Sequence, residues 1–390
     1  MDHPRHLPSI DGQTLKGERS GSEASPRTPP NAFQSEKQDT PGSDSLPGEF
    51  PNAARKASLA VHGPRKWLGL APHAELPDEV NHAEHSHLWW SKVKILLKEP
   101  FAEMWGTFIL VLFGLGGIAQ VSLSKNQPNA TDGFGYGDWQ SICWCFGLGL
   151  MLGIYVAGNS GAFLNPAVTL TSCMLRKLPW RRLPLYWIAQ FLGAFLAAGV
   201  VYANYINGIN AVEGHNIRTV TGNTSTAGIF ATYPTKDLNG VTGSAFLEQF
   251  IASAVLNFVI FALQDDSNKG SFVASGAWFP LGLFFLMFGI AAAFGWQTGF
   301  AINPARDFGP RLMSYAVGYG NEVWTADNYY FWIPLVAPFI GCFFGGALYD
   351  IFIYTGESPI NTPWFGLGDL VNPYKSAKTR LARQRQEEIV

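Results

Sequence analysis

Read by its apolar and polar positions, the chain is polar at both ends and apolar through a long middle. Residues 139–175, 183–212 and 271–305 contain no Asp, Glu, Lys or Arg. Runs of that length suit a bilayer, whose ~30 Å hydrocarbon core takes about 20 helical residues to cross. Six spanning helices are predicted, at roughly 101–122, 138–158, 184–206, 245–264, 276–296 and 330–353. Further apolar segments follow the second and fifth spans, and each contains the same triplet: Asn165-Pro166-Ala167 and Asn303-Pro304-Ala305.

The two triplets have matched flanks. Ser160–Ala167 and Thr298–Ala305 agree at Gly, Asn, Pro and Ala, and nearly agree at Ser/Thr and Leu/Ile. Asn is a good N-cap and Pro is tolerated at the first helical position, so each triplet starts a short helix within the membrane. Each half is then two spans, a re-entrant segment and a third span, and the odd number of spans inverts the second half. The expected fold class is an all-α membrane protein with six transmembrane helices and two re-entrant half-helices in an inverted repeat. The membrane domain is expected over 96–355, with a first repeat at 98–206 and a second at 244–355.

The flanking segments complete the layout. Residues 1–95 are rich in Pro, Ser, Gly, His and charge, and are expected to be a disordered cytoplasmic N-terminal tail. The tail runs into an amphipathic segment, Leu88–Lys98, whose tryptophans and lysines suit the membrane interface. Residues 356–390 are expected as a cytoplasmic C-terminal tail. Arg176, Lys177, Arg181 and Arg182 follow the first re-entrant segment, and Lys375, Lys378, Arg380, Arg383 and Arg385 lie in the C-terminal tail. Excess Lys and Arg stays inside, so both termini are expected in the cytoplasm and residues 207–244 outside. Asn129-Ala130-Thr131 and Asn223-Thr224-Ser225 are acceptor sequons in outer loops.

Composition narrows the function classes. Hydrophobic residues make up 47% of the chain and charged residues 14%, against about 25% charged in soluble domains. A net charge of −2 without a concentrated basic face argues against nucleic acid as a partner. Cys143, Cys145, Cys173 and Cys342 fall in or beside apolar segments and read as small packing residues; no metal, cofactor or disulfide framework is implied. No nucleophile–base pair is present in the membrane region, so an enzyme is not expected. The first 30 residues lack an apolar core, so no cleavable signal peptide is expected and the first span is left to do the targeting.

The candidate chemistry lies where the half-helices meet. Each N-terminus carries unsatisfied N–H groups and roughly half a positive elementary charge. Asn165 and Asn303 would present amides to a shared pore, and donors with positive potential favour hydroxyl oxygen and repel protons and cations. Arg306, at membrane depth, offers fixed donors to a passing hydroxyl. Asp307 is read as a carboxylate that positions the segment, with Arg311 one turn on as its partner. Glu103 and Glu248 start the first span of each half, and each is expected to hold the re-entrant loop of its half; a proton relay is the alternative. His82, His85 and His87 cluster before the interfacial segment, as a solvated linker or a metal or pH site. Thr28-Pro29 and Thr40-Pro41 are candidate phosphorylation sites.

These residues resemble the major intrinsic protein family, the aquaporins and glycerol facilitators. The likeness covers about 98–355 and rests on Glu103–Thr107, both triplets, and Thr298–Arg311. Asp307, Arg311, Pro334-Leu335 and Gly228–Pro234 resemble the aquaglyceroporin branch. The resemblance implies a constriction formed by Phe146, Ala291, Phe300 and Arg306, with an apolar wall for a carbon backbone and an arginine for hydroxyls. It also implies a homotetramer, and its long N-terminal tail is similar to fungal members in which such tails regulate flux. Phe163 stands where relatives usually have His, and Ala157–Gly161 is one residue short. The expected function is a passive channel in the plasma membrane for glycerol, other small uncharged solutes and water, excluding protons and ions. A proton-coupled polyol transporter, a water-selective pore and a closed structural membrane protein are the alternatives.

Overall fold

The computed structural model describes residues 64–65, 67–70, 88–126, 135–235, 242–270 and 278–362. Among the described residues every regular element is helical. The interfacial segment forms α1 (Trp89–Leu96), with Trp89 and Trp90 exposed. The backbone breaks at Leu97, and α2 (Lys98–Lys125) runs across the domain. Then follow α3 (Trp139–Ala157), the half-helix α4 (Pro166–Leu175), α5 (Leu183–Glu213), α6 (Thr242–Gln264), α7 (Phe279–Phe294) and the half-helix α8 (Pro304–Ser314). A short α9 (Glu322–Tyr329) leads through a left-handed turn at Asp327, Asn328 and Tyr329 into α10 (Ile333–Phe352).

The boundaries follow the chain's punctuation. Proline sits in the first turn of α4, α5, α7, α8 and α10, where its missing N–H has no intrahelical partner to lose. Asp138 caps α3 in a reciprocal box with Ser141. Five stretches, Lys98–Lys125, Trp139–Ser160, Trp180–Glu213, Thr242–Gln264 and Glu322–Phe352, are long and apolar enough to cross a membrane. The fifth predicted span appears as α7, whose 16 residues rise about 24 Å; the approach at 271–277 lies outside the described residues. With 10 and 11 residues, α4 and α8 each rise about 15–17 Å, half of a hydrocarbon core.

Packing follows the internal repeat. In the first half α2 packs on α3 and α5; in the second α6 packs on α7 and α10. The half-helices are exchanged: α4 packs on α10, and α8 packs on α5. Two glycines at matching places allow the closest approaches. A Cβ on Gly193 of α5 would sit 2.1 Å from the Met104 carbonyl oxygen of α2, and one on Gly345 of α10 would sit 2.0 Å from that of Ala254 on α6. Small residues at such crossings let backbones touch, which holds membrane helices together by dispersion.

One end of the bundle is basic. Arg176, at the C-cap of α4, donates to both carboxylate oxygens of Asp350 at 2.9 and 2.6 Å, and its guanidinium lies between the Phe261 and Tyr354 rings. The segment after α10 folds back there: Ser358 donates to Asp350, Lys177 pairs with Glu357 at 2.5 Å, and Asn361 donates to the Tyr354 and Gly356 carbonyls. A piece of the N-terminal tail is also held at this end. The Arg65 guanidinium is buried against Glu99 and the Ile95 carbonyl, while Arg181 and Arg182 donate to the Trp67 and Gly69 carbonyls. At the other end, Glu213 accepts from the backbone N–H groups of Thr219 and Thr226 and gathers the loop after α5. Asn223 lies in an exposed stretch of that loop. Asn129, the histidine cluster, both Thr-Pro pairs and the tail basic residues from Lys375 onward lie outside the described residues.

Candidate pore and constriction

Each triplet caps its half-helix as its residue types dictate. Asn165 and Asn303 have extended backbone, and their Oδ1 atoms accept from the N–H groups of Ala167 at 2.9 Å and Ala305 at 3.0 Å. Their Nδ2 atoms cross between the halves. Asn165 donates to the Ile302 carbonyl at 2.9 Å, and Asn303 donates to the Leu164 carbonyl at 2.8 Å. An amide nitrogen carries two N–H bonds, so each Asn keeps one donor beyond this clasp. Both half-helix N-termini therefore meet at one place, and their positive ends add.

The loops leading into the caps are strained. Ala162, Leu164, Phe300 and Ile302 have φ of 51, 52, 40 and 43°, in the region non-glycine residues avoid. Each such residue costs of order 1–3 kcal/mol and persists only when its surroundings fix it. In the first half Glu103 does so. Its Oε1 accepts from the Phe163 N–H at 2.9 Å and the Ser160 hydroxyl at 2.5 Å; its Oε2 accepts from the Leu164 N–H and Gln190 Nε2, both at 2.8 Å.

The second half differs from the expectation. Neither oxygen of Glu248 accepts from a loop backbone N–H, and its contact with the loop is through the Thr298 side chain alone. The neighbouring Gln249 holds the loop: its Oε1 accepts from the Ile302 N–H at 2.9 Å and its Nε2 donates to Thr298 at 2.5 Å. Successive residues on a helix point about 100° apart, so only one of the pair can face the loop. A neutral amide supplies acceptor and donor there without burying an ion.

Arg306, Phe146 and Phe300 come together beside the second cap. The Phe146 and Phe300 rings meet edge-on with centroids 4.9 Å apart, and the Arg306 guanidinium carbon is 4.9 Å from the Phe146 centroid. Phe146 has room because Gly114 on α2 lacks a Cβ, which would fall 2.4 Å from its ring. Ala291 is fully buried, and its carbonyl accepts from Trp139 Nε1 at 3.1 Å. Arg306 is 4% exposed, and its Nε and one Nη are buried without a protein acceptor. The adjacent carboxylate acts on it through space but spends its hydrogen bonds elsewhere. Asp307 is engaged by Arg311 Nε at 2.9 Å and by the Thr232 N–H at 2.8 Å, and Arg311 also donates to the Thr232 and Val323 carbonyls. This pair fastens the loop around Thr232 to α8, as the i, i+4 spacing suggests.

From the caps a passage runs to the basic end. A cavity of about 40 Å³ is lined by both asparagines, Leu150, Val168, Leu256 and Phe163. It shares Gly161, Phe163, Ser172 and Gln264 with a vestibule of about 480 Å³ edged by Arg176, Asp265, Tyr354 and Gly356. Phe163 thus stands at the junction, its ring 6.1 Å from that of Tyr186. The stretch before it closes in a tight 3₁₀ turn, Gly158–Ser160. In the vestibule, burial raises the Asp265 carboxyl, but hydrogen bonds from Ser267 and Tyr349 outweigh it and hold the group below its ordinary range. Among the described residues no three His, Cys, Asp or Glu side chains converge as a metal site.

Sequence reasoning missed Gln249, Gln190 and Trp139. A Gln beside a Glu at the head of a span was the available signal for the first; nothing in the spacing marks the other two.

The family pattern of the major intrinsic proteins matches residues 89–349. The chain is 57% identical over 315 residues to Aquaglyceroporin-9 of Botryotinia fuckeliana, covering 80% of this chain and 65% of that protein. It is 57% identical over 288 residues to the probable aquaglyceroporin-2 of Gibberella zeae, covering 74% and 82%. It thus spans just under two thirds of the first relative and more of the second. The X-ray structure of the aquaglyceroporin from Plasmodium falciparum superposes with a TM-score of 0.56 at 32% identity, over 66% of this chain and 96% of that one. On this pattern, reaching from the interfacial helix to the last span, the chain belongs to the major intrinsic protein family.

Proposed function

We propose that the chain is a passive channel for glycerol, other small uncharged solutes and water, and that it excludes protons and ions. One observation carries the reading. Arg306 stands at the constriction with two buried N–H donors lacking a protein acceptor, beside the edge-on rings of Phe146 and Phe300. Such a ring offers donors to hydroxyl oxygens and an apolar wall to a carbon backbone. The uncommitted arginine and the two half-helix termini set a positive barrier to protons and cations. Phe146, Ala291, Phe300 and Arg306 form the selectivity filter; Asn165 and Asn303 are the central donors; Glu103 and Asp307 hold the loops. The basic end faces the cytoplasm, both termini lie there, and the chain works as a homotetramer in the plasma membrane. Its relatives' names supply the glycerol assignment.

The test is stopped-flow light scattering on proteoliposomes. Water and glycerol both cross down their gradients, and a protonophore leaves glycerol flux unchanged. Flux that collapses with the protonophore overturns the reading in favour of coupled transport; liposomes no leakier than protein-free ones overturn it in favour of a closed pore. Arg306→Ala admits ions that the parent excludes, and Phe300→His shifts flux from glycerol toward water. Unchanged selectivity in both variants removes these residues from the filter.

A further inference from the structure

The filter reading leaves Trp139 without a role, although three features of the fold converge on it. It is the first residue of α3, fixed by the reciprocal cap between Asp138 and Ser141. Its indole N–H donates to the Ala291 carbonyl at 3.1 Å, a contact between residues 152 apart in sequence. Its ring meets Phe300 edge-on, with centroids 5.9 Å apart and planes at 89°. A slot is kept for it: a Cβ on Gly295 would fall 2.1 Å from the indole Cζ2. One side chain from the first repeat thus touches two constriction residues of the second. It is also the start of a line of contacts from Trp139 to Phe300, Phe146 and Arg306.

We propose that Trp139 is a positioning residue that sets the polarity of the constriction, an inference that rests on the filter reading above. A carbonyl oxygen has two lone pairs. The indole of Trp139 takes one of those of Ala291 at the end of α7. Ala291 then shows a solute one acceptor fewer. The donors of Arg306 then dominate the polar side of the ring, and the rest of it is aromatic. A polyol passes such a ring by giving its oxygens to Arg306 and its C–H face to Phe146 and Phe300. Water keeps hydrogen bonds on both sides of its file, and gains more from an exposed acceptor. The edge-on contact also stops the Phe300 ring from swinging, which fixes the aperture.

Trp139→Phe removes the N–H and keeps most of the ring. Gly295→Ala leaves Trp139 in the chain but drives a methyl group between the indole and the Ala291 carbonyl, 2.1 Å from the first and 2.4 Å from the second, and so breaks the same contact from the other side. Both are reconstituted and compared with the parent for glycerol and water permeability, per channel counted by quantitative immunoblot. The expected result is a glycerol-to-water ratio lowered about five-fold in each, the factor one net hydrogen bond gives. Trp139→Ala additionally passes four-carbon polyols. A ratio unchanged in both Trp139→Phe and Gly295→Ala overturns the inference. Phe300→Ala is measured alongside: a ratio that moves there but not in the Trp139 and Gly295 variants sinks only this inference, whereas a ratio that stays fixed in all sinks the filter reading.

Discussion

The two re-entrant loops are tied down by different chemistry, a carboxylate at Glu103 and an amide at Gln249. Glu103→Leu strands the Phe163 and Leu164 N–H groups, at about 1–3 kcal/mol for each buried donor left unmet. A large drop in the thermal midpoint in detergent is therefore expected. Glu248→Gln removes a buried carboxylate that meets no loop backbone N–H and keeps a group able to meet the Thr298 side chain, so stability should hold or rise. A midpoint drop as large as that of Glu103→Leu would show that Glu248 carries its loop after all. At this scale the sequence is legible where a rule has one solution. Asp307 and Arg311 stand one turn apart with opposite charge, and they pair. It is illegible where two neighbours compete for one direction. Glu248 and Gln249 are equally well placed along the chain, and only the rotation of α6 decides between them.

Helices were legible wherever the apolar run ended at a charge or a proline. The predicted spans and α2, α3, α6 and α10 agree to within a few residues. α5 runs on to Glu213, beyond the expected end at 206, because Asn207–Val212 is polar enough to leave lipid yet still helical. Hydropathy reports the solvent, not the hydrogen-bond ladder, so it cannot see that extension. Crossing points are a matter of single glycines. Gly193→Ala drives a methyl group onto the Met104 carbonyl, and backbone cannot step aside; a loss of about 1–3 kcal/mol is expected. Gly289→Ala on α7 meets nothing within 4 Å, and it should be neutral or mildly stabilising. Equal midpoints for the two variants would count against the close crossing of α2 and α5.

For the whole molecule, the inverted repeat was readable from two copies of eight residues, but not the exchange of half-helices between the halves. That exchange needs the third dimension, since each half-helix is next in sequence to helices on which it does not chiefly pack. The proposed filter and the vestibule also share no lining residue. Tyr354 and Gly356 edge the wide vestibule, far along the chain from Phe146 and Arg306. Tyr354→Ala should therefore alter glycerol and water rates together and leave their ratio as it was, read in the same stopped-flow assay. A shifted ratio would mean that the vestibule also discriminates.

The clasp between Asn165 and Ile302 and between Asn303 and Leu164 has a bearing on how the protein is made. When the ribosome has delivered the first repeat, its bent loop still lacks a carbonyl acceptor for Asn165 and a donor for the Leu164 oxygen. Those partners are more than a hundred residues away and unsynthesised. The newborn first half must wait in the bilayer, its buried polar groups provisionally served by water or by the insertion machinery, until the second half arrives to close it.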